Sequence, residues 1–214
     1  MTHPTVPEQI ASTIGQLGWR SSVPEQKPVE VRLEEVDAWW SALPRQHSCP
    51  ARGAVDPEDL LATCPQSFLA TYIAPNLLKL RHVGEEAGAG FCPEPRGLPL
   101  NSFFDAKSRG TLSQMIERVR TQPAIVDLPL TYSGTREHAR DGHLRLWPLL
   151  SDRGDVTDVI GALVFDGKVR SMALEALRIK ETKPASVEKL PPIVIRPKTE
   201  RRAKPHLVLV VDNS

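Results

Sequence analysis

The sequence predicts an α+β domain, an antiparallel sheet with helices packed over one face, and three observations lead there. Residues 143–165, "HLRLWPLLSDRGDVTDVIGALVF", hold two strand patterns joined by a turn. A second pair of adjacent strand patterns lies near residues 66–83, and sequence-adjacent strands favour antiparallel pairing. Between the two groups, Leu112, Met115, Ile116 and Val119 fall at helical spacing, which predicts a long amphipathic helix over residues 106–121.

The hairpin carries the strongest pattern. Leu144 and Leu146 alternate with His143 and Arg145, the period of a half-buried strand. Ser151-Asp152-Arg153-Gly154-Asp155 supplies the turn, with Asp to bond its own backbone and Gly available for positive φ. The returning strand, 156–165, is apolar on both parities, which places it where both of its faces are covered.

The other elements follow in chain order. Residues 1–30 lack a sustained period and read as a flexible leader. Leu33, Val36, Trp40 and Leu43 predict an amphipathic helix over 33–42, ended by Pro44. Asp56-Pro57-Glu58-Asp59 is a helix start, with an N-cap, proline at the first helical position and acids in the first turn; that helix stops before Pro65. Residues 66–73 and 77–83 read as strands around a Pro75-Asn76 turn. Gly84 turns the chain into a short helical stretch over 85–91. Beyond Pro123, alternation over 125–132 gives another strand. Pro129 and Pro148 cannot donate to a ladder, so each belongs at an edge or a bulge.

Four segments result: the leader 1–30, a domain over 31–167, a short amphipathic helix over 168–182 on Val169, Met172, Ala176 and Leu177, and a basic Pro-rich tail over 183–214 that is expected to be mobile over 183–204. The tail ends in a β-prone run, "HLVLVVD" at 206–212. Charge divides along the same line. Residues 1–167 carry 16 Lys and Arg against 21 Asp and Glu, while residues 168–214 carry 11 against 5, so an acidic body precedes a basic tail. No apolar run is long enough to span a bilayer, and the N-terminus lacks signal-peptide features, so the chain is expected in the cytoplasm. Cys49, Cys64 and Cys92 show no CxxC spacing, which disfavours a disulfide framework and a zinc knuckle.

Several short segments together carry a family resemblance: the Trp39-Trp40 pair, "ARGAVDPEDL" at 51–60, "LRHVGEEAG" at 80–88, "RGLPL" at 96–100 and "LRLWPLLSDRGDVTDVIGAL" at 144–163. In order and spacing they resemble a PAS-like family of small, mostly alphaproteobacterial proteins once catalogued as a domain of unknown function. One departure is Cys92-Pro93, where the family pattern has Gly near position 92. The resemblance implies a PAS-like five-stranded antiparallel sheet, with a helical connection between its second and third strands and poorly ordered termini on either side. It also implies a sensory or protein-interaction role without chemistry. It supplies no ligand, no cofactor and no binding residues.

Periodicity alone offers candidate pocket positions: Leu78, Leu80 and His82 on one strand, Leu112, Met115 and Ile116 on the long helix, Leu128 and Leu130, and Leu146. A close-packed core gives the same pattern. Trp39 and Trp40 cannot both face one core, so one of them remains for a partner or a homodimer. Arg81 is placed either to meet an anionic ligand or to pair with Glu85 or Glu86.

The expected function is therefore a non-catalytic sensor or adaptor in signal transduction that binds a small apolar molecule or a partner protein. The alternative is a nucleic-acid-associated regulator working through the basic tail, which lacks the interleaved aromatics of a single-strand binder. His82 and His143 have no second ligand at metal spacing, so no metal site is expected. His47 and Cys49 stand two apart with no oxyanion-hole motif, and GxSxG, Walker and GxGxxG signatures are absent. Catalysis is disfavoured.

Overall fold

The computed structural model describes residues 26–45, 48–132, 139–169, 174–181 and 185–191. Helix α1, Val29–Ala42, buries Arg32, Leu33, Val36 and Trp40, and it stops because Leu43, preceding Pro44, is held extended. A 3-10 turn at Arg52–Ala54 leads to α2, Pro57–Thr63, whose first turn is capped by Asp56 Oδ1 accepting from the Glu58 N–H at 2.9 Å. Strands β1, Ser67–Ala74, and β2, Leu77–Val83, form the first hairpin. Next come α3, Glu85–Phe91, a 3-10 turn at Leu100–Phe103, and α4, Ala106–Thr121. Asp105 caps α4 through the Ser108 N–H at 2.9 Å, a cap that the apolar spacing of the helix does not reveal. The chain then runs through β3, Ala124–Tyr132, β4, Arg140–Leu150, and β5, Val156–Phe165.

These five strands pair antiparallel in the order β2-β1-β5-β4-β3, with the helical connection between the second and third strands. Strand β5 sits centrally and is almost wholly buried, as its two apolar parities require. Cover comes from both sides. Helices α3 and α4 and the second 3-10 turn pack on the inner face over Phe68, Leu80, Leu128, Leu146 and Leu163. Helices α1 and α2 lie on the outer face, over Leu69, Trp147, Ile160 and Val164. The single covered face read from the sequence thus describes α3 and α4, and α1 and α2 supply the second layer.

The inner core is aromatic at its centre. The Phe68 ring meets Phe91 edge-on at 5.4 Å, and Phe91 meets Phe103 at 4.7 Å. Phe68 stands opposite Gly161 in the β1–β5 ladder, and its ring occupies the space that a side chain at 161 would need. Gly84 answers to a close approach as well: a Cβ there would lie 2.2 Å from the Pro65 carbonyl oxygen, which accepts from the Glu86 and Ala87 N–H groups.

The sheet extends beyond the five expected strands. Two short strands, β6, Leu177–Ile179, and β7, Ser186–Lys189, both pair antiparallel with β3 and make seven among the described residues. Two sequence expectations are corrected here. Residues 174–179, expected within a short helix, are a turn and then a strand. Glu175 takes φ 63°, which breaks any helix, and Leu177 is drawn onto the core, where its carbonyl accepts from Asp105 N–H. The tail was expected to be mobile from 183, yet Ser186–Lys189 is a ladder partner of Ala124–Asp127. Pro129 explains why the added cover comes in two pieces. Its carbonyl accepts from Lys180 N–H, so its nitrogen faces the same neighbour and has no proton to give. Residues 192–214, with the run at 206–212, and residues 1–25 lie outside the described residues.

Candidate functional site

A set of polar contacts lies where α1 rests on the outer face. Three successive turns of the helix each send a polar side chain to the sheet. Arg32, 5% exposed, donates from Nη2 to the Phe165 carbonyl at the end of β5, at 2.5 Å, and from Nη1 to Glu86 of α3 at 3.5 Å. Its own carbonyl accepts from the buried Gln66 amide at 2.7 Å. With its amide oriented to suit its neighbours, Gln26 accepts from Arg32 Nη1 at 2.7 Å and donates to the Gly167 carbonyl at 3.2 Å. The entry to the first helix is thereby tied to the chain leaving the last core strand. Arg32 Nε remains buried without a partner, so this guanidinium is held by an incomplete set of bonds.

One turn further, Asp37 accepts two short bonds, from Arg145 Nη1 and from the indole N–H of the fully buried Trp147, each at 2.6 Å. Arg145 donates onward to Asp127 at 3.2 Å, and Asp127 meets His143 Nδ1 at 3.0 Å. Burial alone would raise the Asp127 carboxyl, but bonds and charge from His143 and Arg145 outweigh it and hold its pKa below the usual value. Arg145 and His143 lie on the parity of β4 opposite Leu144 and Leu146, hence on the outer face. The third contact is Trp40. Its indole N–H donates to the Pro148 carbonyl at 3.1 Å, and the Arg45 guanidinium lies 4.5 Å over its ring. Pro148 lies past the last β3 partner on β4, so its carbonyl is free of the ladder and open to the indole.

A cleft of about 720 Å³ opens beside this seat, between α1, α3 and the end of β5. Its floor is Gly90, Leu163 and Phe165, and its walls include Arg32, Gln66, Glu35 and Lys27. An apolar floor under a polar wall suits an amphipathic small molecule or one inserted side chain. Lys27, Arg32 and Lys168 balance Glu35, Glu85 and Glu86 around it, so the cleft selects no single sign of charge.

Of the pocket positions read from periodicity, Leu78, Leu80, Leu112, Ile116, Leu128, Leu130 and Leu146 are brought together in the inner core with no accessible surface, and Met115 packs at its edge. His82 is not among them. A bulge at Arg81 lets Leu69 pair with His82 and Ala70 with Leu80, which turns His82 away from the face of Leu78 and Leu80. It lines a separate cleft of about 860 Å³ with Arg81 and Arg96, where burial and the neighbouring guanidinium groups lower its pKa. Arg81 donates to Thr71 Oγ1 at 3.3 Å, and Glu86 instead meets Arg32. Trp40 is 2% exposed and Trp39 half-buried at the rim of the outer cluster, so the Trp pair divides as its adjacency requires.

The cysteines are separate. Cys49 and Cys64 are buried; burial raises the Cys49 pKa, and burial with nearby Glu35 raises that of Cys64 to about 11. His47 lies outside the described residues, and among those described no group of His, Cys, Asp and Glu is arranged to hold a metal. Among the described residues no helix is long and apolar enough to cross a membrane.

Arg32, Asp37, Gln66 and Arg145 are absent from the candidates drawn from periodicity, which counts apolar positions. One signal was present: Arg32, Val36 and Trp40 form an i, i+4, i+8 row, so a charged residue continues the buried stripe of α1.

Comparison with known families is decisive for the fold. A model described as a PAS domain matches residues 30–164, from the start of α1 to the end of β5. The chain belongs to the PAS domain family. The matched PAS region ends before β6 and β7, so those strands are additions to the PAS sheet. PAS domains are sensory and signalling modules, typically without catalysis of their own. No curated protein matches the chain.

Proposed function

We propose that this PAS domain is a non-catalytic sensor or adaptor in which α1 is the coupling element and the cleft beside Arg32 is the recognition site. The observation that carries the reading is Arg32 itself. One buried side chain on α1 touches the last core strand, α3 and, through Gln26, the chain leaving the domain. A small molecule or partner side chain entering the cleft competes for those bonds and biases how α1 sits. The inner core, filled by phenylalanine rings, favours the cleft over the interior as the place of recognition. A partner would meet the outward side of α1, where Val31 is 39% exposed and Trp39 half-buried.

Native mass spectrometry of the full chain, gently purified from its own cells, tests this. The expected result is an added mass released by denaturation, or a stoichiometric protein complex, that Arg32→Met abolishes while far-UV circular dichroism is unchanged. A bare monomer, or an addition indifferent to Arg32→Met, counts against the reading.

A further inference from the structure

The second cleft, at the end of β2, is built by a departure from regular strand geometry. Successive strand residues ordinarily point to opposite faces. Arg81 is the extra residue of the bulge, between Leu80 opposite Ala70 and His82 opposite Leu69, and as a result Arg81 and His82 both line this one cleft of about 860 Å³. A further cationic side chain is delivered from outside the sheet. Residues 95–98 form a tight turn in which Leu98 N–H donates to the Pro95 carbonyl at 3.2 Å and Gly97 takes φ 84°, the left-handed value that a type II turn needs at its third position. Gly97 N–H donates to the Leu80 carbonyl at 2.9 Å and Leu80 N–H to the Leu98 carbonyl at 3.0 Å, so the turn is laced to β2 and Arg96 is held in the cleft with Arg81 and His82.

These cationic groups are short of partners. Arg81 donates from Nε to Thr71 Oγ1 at 3.3 Å, and Arg96 has no hydrogen bond or ion pair among the described residues. Glu85 and Glu94 line the same cleft, yet among the described residues neither pairs with a guanidinium. Arg52 is already committed, to the Val55 carbonyl at 3.1 Å and to Asp158 at 3.7 Å. The charges acting on the His82 ring are the guanidinium groups of Arg96, Arg52 and Arg81 against the carboxylate of Glu58, so this end of the cleft is positive. A guanidinium fork matches the paired oxygens of a carboxylate or a phosphate.

We propose that this cleft is a second binding site, which takes a small oxyanion, a carboxylate or phosphate group held between Arg81 and Arg96 with His82 as an N–H donor. Leu61, Val83 and Pro93 supply apolar wall for the rest of such a molecule. The site is separate from the recognition cleft beside Arg32, although Glu85 and Ala89 of α3 line both. A bound oxyanion sets a negative charge beside His82 and raises the pKa that burial and the guanidinium groups lower.

NMR of the full chain with labelled histidine tests this, using inorganic phosphate and succinate as separate probes at an ionic strength held constant with sodium chloride. The His82 ring signals, assigned by their loss in His82→Gln, should move saturably with at least one probe, and the His82 pKa should rise in its presence. Movement with phosphate alone makes the ligand a phosphorylated molecule, and movement with succinate alone makes it a carboxylate. Arg81→Gln and Arg96→Gln should each weaken binding at least about fivefold, while Arg153→Gln in the β4–β5 turn, which lines no part of this cleft, should not. Both cleft arginines are exposed, so the amide spectrum of the core should be unchanged in either variant. No saturable movement of His82 with either probe overturns the proposal. Binding that neither substitution weakens, or a response confined to residues around Arg32, overturns it as well.

Discussion

Asp37 is the residue whose removal the structure prices most clearly. Asp37→Ala deletes the acceptor of the Trp147 indole N–H, and Trp147 has no exposed surface through which water could replace it. A buried donor left unpaired costs about 1–3 kcal/mol. The same change removes one of the two carboxylates of Arg145. That pair is partly exposed, 22% for Arg145 and 35% for Asp37, so screening limits its share to about 0–1 kcal/mol. Equilibrium urea unfolding followed by tryptophan fluorescence should therefore show Asp37→Ala destabilised by about 2–3 kcal/mol with an unchanged m-value. Asp37→Asn keeps an oxygen for Trp147 and loses only the charge, so it should cost roughly half as much or less. In the background of Trp147→Phe, which removes the donor, the effect of Asp37→Ala should shrink by about 1 kcal/mol or more. A loss under about 0.5 kcal/mol for Asp37→Ala, or a loss unchanged in the Trp147→Phe background, would refute the assignment of Asp37 as the anchor of α1 on the buried Trp147.

Further outcomes follow from the same geometry. Gly161→Ala places a Cβ 2.0 Å from the buried Phe68 ring, which is held edge-on against Phe91, and should cost about 2–3 kcal/mol in thermal or urea unfolding. Asp127 has a lowered pKa, so its stabilising share is complete above the ordinary value of 3.8 and is lost as pH falls through the folded value. Asp127→Asn should accordingly flatten the acid limb of the stability profile and be destabilising at neutral pH. Iodoacetamide at pH 8 should label Cys92, which is half-buried, before Cys49 and Cys64, which are shielded and have raised pKa values; all three should react at similar rates in urea.

Most of the fold was legible in the sequence because it rests on short-range rules. Alternation marked β3 and β4, a run apolar on both parities marked β5, the Asp56-Pro57 start marked α2, and apolar spacing gave α4 its span. These signals report which side of an element is buried, and adjacent strand patterns join through their turns. Even the two-sided burial of β5 was visible, since a strand apolar on both parities has to lie between two layers. What covers the second face was not, because the periodicity of α1 shows an apolar stripe without saying against which face it packs.

The remainder was decided by tertiary structure, and in each case by a single contact that no local pattern encodes. His82 follows Leu78 and Leu80 in perfect alternation, yet one extra residue at Arg81 reverses its side, and a bulge depends on how β1 pairs rather than on β2 alone. Leu177 reads as part of a helical stripe until the open edge of β3 offers it a ladder. Arg32, Asp37 and Arg145 look like ordinary surface charges, because a buried or half-buried charge is tolerated only where partners from distant segments converge on it. Arg145 lies 108 residues from Asp37, and only the closed sheet brings them within 2.6 Å. The sequence by itself determined the elements of the PAS core and the family; packing determined the two added strands and which charges became the seat of the first helix, since burial of a charge depends on neighbours that only the folded chain assembles.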